Sequence, residues 1–167
     1  IIHPVIDRIL TNRNLFLIVF CIGSQTVNRQ IGMDYILEQI YKAKPDVLCF
    51  SCYIWNISFV RELIRDLAKI LPETAFWAGG PEVSYDAEKF LTEMPEMTGV
   101  LVGEGEKTFH DLLEYYIDGK GSLGEIRGIA YRDGEEIRHN GWRELMNLSE
   151  IPFFYQFQIT ESEFFIY

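Results

Sequence analysis

The sequence predicts an α/β protein built on a doubly wound, largely parallel sheet, and two features of the chain carry that prediction. Short apolar runs without period-two alternation recur at residues 15–22, 47–50, 74–78 and 98–102, the pattern of strands covered on both faces. Stretches with apolar residues at helical spacing follow these runs, so strand and helix alternate four times along the chain. Crossovers through helices are right-handed and cover both faces of a sheet, which makes the parallel arrangement the economical one.

The elements follow in order. The chain opens without Met, as a piece cut from a longer protein would, and Pro4, Val5, Ile6, Ile9 and Leu10 read as a short helix with Pro in its first turn. The strand at 15–22 stops at Gly23-Ser24, residues 25–32 are polar and loop-like, and Met33, Ile36, Leu37, Ile40 and Tyr41 then recur as one helical stripe. Pro45-Asp46 leads into the strand at 47–50, expected to be central. Asn56 is placed to cap the next helix, whose stripe is Phe59, Val60, Leu63, Ile64, Leu67 and Ile70. The strand at 74–78 closes in Gly79-Gly80-Pro81-Glu82, and a helix at 86–94 turns Phe90 and Leu91 inward. The strand at 98–102 ends in Gly103-Glu104-Gly105-Glu106 and hands over to a helix carrying Phe109, Leu112, Leu113 and Tyr116, stopped by Gly119.

Beyond that the rhythm changes. Residues 126–131 and 135–139 around Asp133-Gly134 read as a β-hairpin with a two-residue turn, residues 146–155 as an extended arm, and Phe164-Phe165-Ile166-Tyr167 as the start of a further strand. Residues 1–122 are thus expected to form the α/β domain and residues 123–167 a hairpin and linker.

Composition narrows the function. A formal net charge of −10 would repel a phosphate backbone, and the sequence has no basic stripe interleaved with aromatics, which argues against nucleic acid. The apolar run at 15–22 is too short to span a bilayer and lacks the flanks of a secretory signal, so the expectation is a cytoplasmic protein away from membranes. Three cysteines make a disulfide framework improbable. Cys49 and Cys52 form a Cys-x-x-Cys, but on a continuing strand they point to opposite faces, and no second pair completes a zinc site. His110 and His139 have no partner residues that would make a catalytic triad, and no catalytic residue is assigned.

The strongest functional signal is convergence. The polar loops after three consecutive strands, with Ser51, Cys52, Tyr53 and Trp55 in the first, Gly79, Gly80, Pro81 and Glu82 in the second, and Gly103, Glu104 and Gly105 in the third, come to one edge of a parallel sheet. Glycine there lets a backbone approach a bulky ligand, although any one of these glycines could simply make a tight turn. Glu82, Glu104 and Glu106 oppose an anion, and neither a dinucleotide fingerprint nor a nucleotide-phosphate loop is present. The pocket is therefore expected to be mostly uncharged. A side chain at Gly80 should intrude on a ligand or a facing loop, weakening binding while the fold survives.

These loops, with Lys44-Pro45-Asp46-Val47 before the first and 126–131 and 148–153 after the last, resemble the N-terminal cobalamin-binding domain of radical S-adenosylmethionine enzymes, a family whose members are often described by similarity to the anaerobic magnesium-protoporphyrin IX monomethyl ester oxidative cyclase. The resemblance covers residues 31–155 and implies a flavodoxin-like, Rossmann-like domain holding cobalamin, with its nucleotide tail at the sheet edge near Ser51 and the Gly79-Gly80 pair. It implies a corrinoid as ligand and a C-terminal radical barrel as partner in the parent chain, with a 4Fe-4S cluster and S-adenosylmethionine bound there. The piece itself would be inactive alone, the parent being an oxidoreductase, cyclase or methyltransferase. The Asp-x-His-x-x-Gly that gives cobalt a histidine in other cobalamin proteins is missing, and His3 lacks its partners. Aligned by the family, the strand at 15–22 is the second and the central first strand is missing. Two other readings stay open: a cofactor-free docking or substrate-binding module of the same fold, and a flavin-binding relative.

Overall fold

The strand Val47–Ser51 (β2) sits in the interior because its whole apolar run is covered on both faces, as its composition requires. The computed structural model describes residues 17–21 and 32–145. The expected N-terminal helix, His3, the arm at 146–155 and the closing aromatic run lie outside the described residues.

The elements alternate as expected: Leu17–Cys21 (β1), Met33–Ala43 (α1), β2, Ile57–Ile70 (α2), Ala75–Gly79 (β3), Pro81–Ser84 (α3), Ala87–Glu93 (α4), Gly99–Leu101 (β4) and Gly105–Asp118 (α5), then a 3-10 turn at Leu123–Glu125 and the strands Ile129–Asp133 (β5) and Glu136–His139 (β6). Helix ends obey local chemistry. Lys44 (φ +49) closes α1 and Gly119 (φ +63) closes α5, each in the left-handed conformation with its amide returned to the last turn. The short helix α3 forms where the sequence reads as loop, because Pro81 starts it with the fixed φ a first helical position wants.

Among the described residues the strands form one sheet in the order β1-β2-β3-β4-β5-β6. The first four run parallel and the last two antiparallel, a doubly wound α/β sheet with its hairpin attached. The position beside β2, where the resemblance expects a missing central strand, is filled by β1 itself, paired from Leu17 opposite Val47 to Cys21 opposite Ser51. The hairpin adds to the sheet rather than leaving it, since β5 pairs with β4 from Gly99 opposite Tyr131 to Leu101 opposite Ile129. Gly99 permits this, because a Cβ there would lie 2.4 Å from the Trp77 ring and 2.8 Å from the Ala130 carbonyl. The hairpin is shifted along the chain relative to the expected 126–131 and 135–139: Asp133 pairs with Glu136, so the turn residues are Gly134, at φ +61, and Glu135.

Two apolar layers hold the sheet. Helices α1 to α4 pack Ile40, Leu63, Ile64, Leu67 and Phe90 onto one face with Leu48, Phe50 and Phe76. Helix α5 packs Leu112 and Leu113 onto the other with Val47, Cys49, Trp77 and Leu101. Trp77 is wholly buried, and its indole N–H is satisfied by the Tyr116 hydroxyl at 2.9 Å. Ile70, expected in the α2 stripe, is 43% exposed at the helix end. Among the described residues no helix is long and apolar enough to cross a membrane.

Candidate cofactor cleft

The parallel strands β2, β3 and β4 all point their carboxyl ends the same way, so the loops that follow them meet at one edge. There they enclose a cleft of about 410 Å³ on the α5 face. Ser51, Tyr53, Gly79, Gly80, Gly103, Glu104 and Gly105 line it, with Cys49, Leu101 and Phe109 beneath and Glu106 at the rim. Ser51 and Gly79 are register partners, and a Cβ on Gly79 would make only ordinary contact with Leu101, at 3.5 Å. Gly105, the first residue of α5, has nothing within 4 Å of where its Cβ would stand.

Hydrogen bonds within the first loop and between neighbouring loops fix the edge before any ligand arrives. Asn56 stands at the expected cap position of α2 but makes no cap bond. Its buried amide turns back, accepting the Tyr53 N–H at 2.8 Å and donating to the Ser51 carbonyl at 2.9 Å, which closes the first loop on itself. The first loop meets the second through the Cys52 amide, which donates to the Gly79 carbonyl at 2.7 Å. The second meets the third through Ser84, whose buried hydroxyl donates to the Gly80 carbonyl at 2.9 Å and accepts the Gly103 N–H at 3.4 Å.

Gly80 is held in this web by its backbone. At φ +104 and ψ 171 it occupies a region essentially restricted to glycine, and a Cβ would stand 2.4 Å from the Cys52 carbonyl oxygen. The expectation that a side chain at Gly80 would spare the fold is thereby corrected, because the space it would need belongs to the backbone of the facing loop.

Not every residue of the predicted set reaches the cleft. Cys52 is fully buried on the opposite face, packed with the α2 side of the core, while Cys49 lies under the cleft, the split that a period of two predicts. Burial pushes both thiols up to about 12, with the charges of Arg61 (lowering) and Glu82 (raising) as smaller influences on Cys52. Trp55 is half-exposed and stacks face to face on Tyr53, with ring centroids 4.7 Å apart. Glu82 is exposed on α3, and Pro81 borders an adjoining cavity of about 320 Å³ that shares Gly80, Gly103 and Glu104 with the cleft. Sequence reasoning missed Phe109, one helical turn after Gly105, and Cys49, two residues before Ser51; both periodicities could have found them. Nothing local marked Ser84 or Asn56 for the roles they have here.

The lining is glycine backbone, a hydroxyl, aromatic rings and aliphatic carbon, with carboxylates only at Glu104 and Glu106. That chemistry fits a large, mostly uncharged cofactor such as cobalamin better than a polyphosphate, which the two acids would repel. Among the described residues no histidine lines the cleft, so the structure offers no imidazole there for a cobalt ion. His110, Asp111 and Glu114 place ligand atoms within 4.8 Å of one another on α5, but Asp111 is engaged by the Arg143 guanidinium.

Comparison with known proteins agrees with this geometry. The chain is 30% identical over 93 residues to the cobalamin-dependent radical SAM methyltransferase TokK of Streptomyces tokunonensis, covering 56% of this chain and 14% of that protein. It is 21% identical over 109 residues to the anaerobic magnesium-protoporphyrin IX monomethyl ester cyclase of Cereibacter sphaeroides, covering 64% of this chain and 18% of that protein. The chain therefore spans less than a fifth of the length of either relative. The solved structure of the cobalamin-dependent S-adenosylmethionine radical enzyme OxsB, with aqua-cobalamin and S-adenosylmethionine bound, superposes with a TM-score of 0.60 over 72% of this chain and 17% of that one, at 21% identity, a likeness of fold. The family model for the B12 binding domain matches residues 19–113, more than half of the chain, from β1 into α5 and across all the cleft loops. The chain belongs to the B12-binding domain family.

Proposed function

We propose that the cleft holds cobalamin and that the domain presents this corrinoid to the iron-sulfur barrel of a larger radical S-adenosylmethionine enzyme, for methyl transfer or radical chemistry. The observation that carries the reading is the glycine-lined cleft made by three strand-end loops within the span of a B12-binding family model. Relatives described as a cobalamin-dependent radical SAM methyltransferase and as a cyclase support the parent chemistry. Bound cobalamin would supply the capacity to carry a methyl group or take part in radical transfer, chemistry that belongs to the cofactor rather than to the protein.

The chain's own residues then have defined work. Gly79 and Gly105 keep the walls low enough for a large ligand, and the Ser51 hydroxyl and loop amides supply hydrogen bonds. Tyr53, braced by Trp55, closes one side against water. Because Asn56 and Ser84 already fix the loops, little ordering remains to oppose binding. Two free, buried thiols suit the reducing cytoplasm in which such a cluster enzyme would work.

Titration of the intact protein with hydroxocobalamin tests the proposal. Saturable binding with a shift of the visible spectrum is expected. A protein that neither binds the corrinoid nor depends on it for activity would remove the reading.

A further inference from the structure

After β6 the chain turns back toward the cleft, and it is held at several points. The Asn140 side chain donates to the carbonyls of Leu123 and Ile126 at 2.7 and 2.8 Å, and the Gly128 amide donates to the Gly141 carbonyl at 3.0 Å. Arg143 reaches the Asp111 carboxylate on α5 and the Arg127 carbonyl at 3.0 Å, while Arg127 donates to the Trp142 carbonyl at 3.4 Å. These bonds leave Trp142 lying on Gly103: a Cβ on that glycine, at φ +81, would be 3.2 Å from the indole. The Tyr85 ring flanks the indole with centroids 5.8 Å apart. Gly103 and Glu104 border both the cleft and the adjoining cavity, and Trp142 and Tyr85 wall only the latter. The loop after β4 is therefore a thin partition with the cofactor cleft on one side and an indole on the other.

We propose that Trp142 is a positioning residue for the cofactor cleft, setting the loop of residues 103–105 from behind. The inference rests on the cobalamin reading for its binding consequence, but its effect on the loop can be read without cofactor. With glycine at 103 and 105, this loop has more backbone freedom to lose than residues with a Cβ at those positions would give it. The flat ring against the Gly103 Cα removes that freedom in advance, so the ligand does not have to. Trp142 is still 47% exposed, which means that removing it takes little from the core while freeing the loop.

The experiment compares the intact wild-type protein with Trp142→Ala and Trp142→Phe. Hydrogen exchange of the amides of residues 103–106, measured without cofactor, should speed up in the alanine variant and stay near wild type in the phenylalanine variant. Hydroxocobalamin affinity should fall about tenfold for alanine, equivalent to ~1.4 kcal/mol, and recover with phenylalanine. Quenching of tryptophan emission by the bound corrinoid should lose its Trp142 component in Trp142→Phe. Should Trp142→Ala fail to fold, Trp142→Leu provides the same comparison. Unchanged exchange at 103–106, or unchanged affinity in a folded variant lacking the ring, overturns the inference. Faster exchange in a protein whose wild type binds no cobalamin would uphold the positioning role and refute the cofactor reading instead.

Discussion

Gly79 and Gly80 are adjacent and identical in the sequence, yet the structure assigns them opposite sensitivities. In Gly80→Ala the new methyl must hold φ +104 and ψ 171, a conformation that costs on the order of 1–3 kcal/mol for a residue with a Cβ. It also stands 2.4 Å from the Cys52 carbonyl oxygen, and Cys52 cannot retreat without loosening its 2.7 Å bond to Gly79, worth about 0.5–1.5 kcal/mol. Together the loss should be about 2–4 kcal/mol. With a urea dependence of about 2 kcal/mol per molar, the unfolding midpoint should fall by about 1–2 M. Gly79→Val is the complementary change. Its first carbon meets Leu101 at an ordinary 3.5 Å and its bulk faces the cleft, so stability should hold within about 1 kcal/mol. Hydroxocobalamin affinity should drop more than tenfold, which is ~1.4 kcal/mol. Urea unfolding followed by circular dichroism, paired with corrinoid titration, separates the two. A Gly80→Ala protein as stable as wild type, or a Gly79→Val protein that binds normally, would refute the reasoning.

The buried amide of Asn56 gives a further test: Asn56→Ala strands the Tyr53 N–H and the Ser51 carbonyl and should cost about 1–3 kcal/mol in urea unfolding, with faster proteolysis of the first loop. Ser84→Ala removes the hydroxyl between the Gly80 carbonyl and the Gly103 amide, and should weaken corrinoid binding severalfold while losing about 1 kcal/mol of stability, read by the same paired titrations. Burial raises Cys49 and Cys52 from 9.0 to about 12 and, with the Trp77 hydrogen bond a smaller opposing influence, Tyr116 from 10.0 to about 12, so these groups stay protonated in the native state while the unfolded chain ionises. Stability should thus be insensitive to them below about pH 9 and fall as pH rises toward 12, because there the unfolded state binds fewer protons. For the same reason both thiols should resist alkylation at pH 8 until the protein is denatured, as followed by mass spectrometry.

The succession of strands and helices and, through it, the meeting of the three loops are legible in the amino-acid pattern. Apolar runs at 47–50, 74–78 and 98–102 joined through short helical connections favour a parallel sheet, and parallel strands bring Ser51, Gly79 and Gly103 to one edge. The pattern also pointed to Cys49 and Cys52 facing apart, which follows from the two-residue period on a strand that continues past Ser51. Which groups those residues meet depends on the folded chain. Asn56 is at the right position for a cap, but the loop before it offers its amide two better-placed backbone partners. Cys52 and Trp55 belong to the predicted loop, yet one turns into the core beneath α2 and the other stacks on Tyr53. The hairpin reads as an appendage because its pairing partner β4 lies some thirty residues earlier in the chain, and Trp142 reaches Gly103 only because that hairpin joins the sheet. Periodicity and turn chemistry act over a few neighbouring residues, whereas pairing, packing and close backbone approach depend on atoms that the chain brings together only after it has folded.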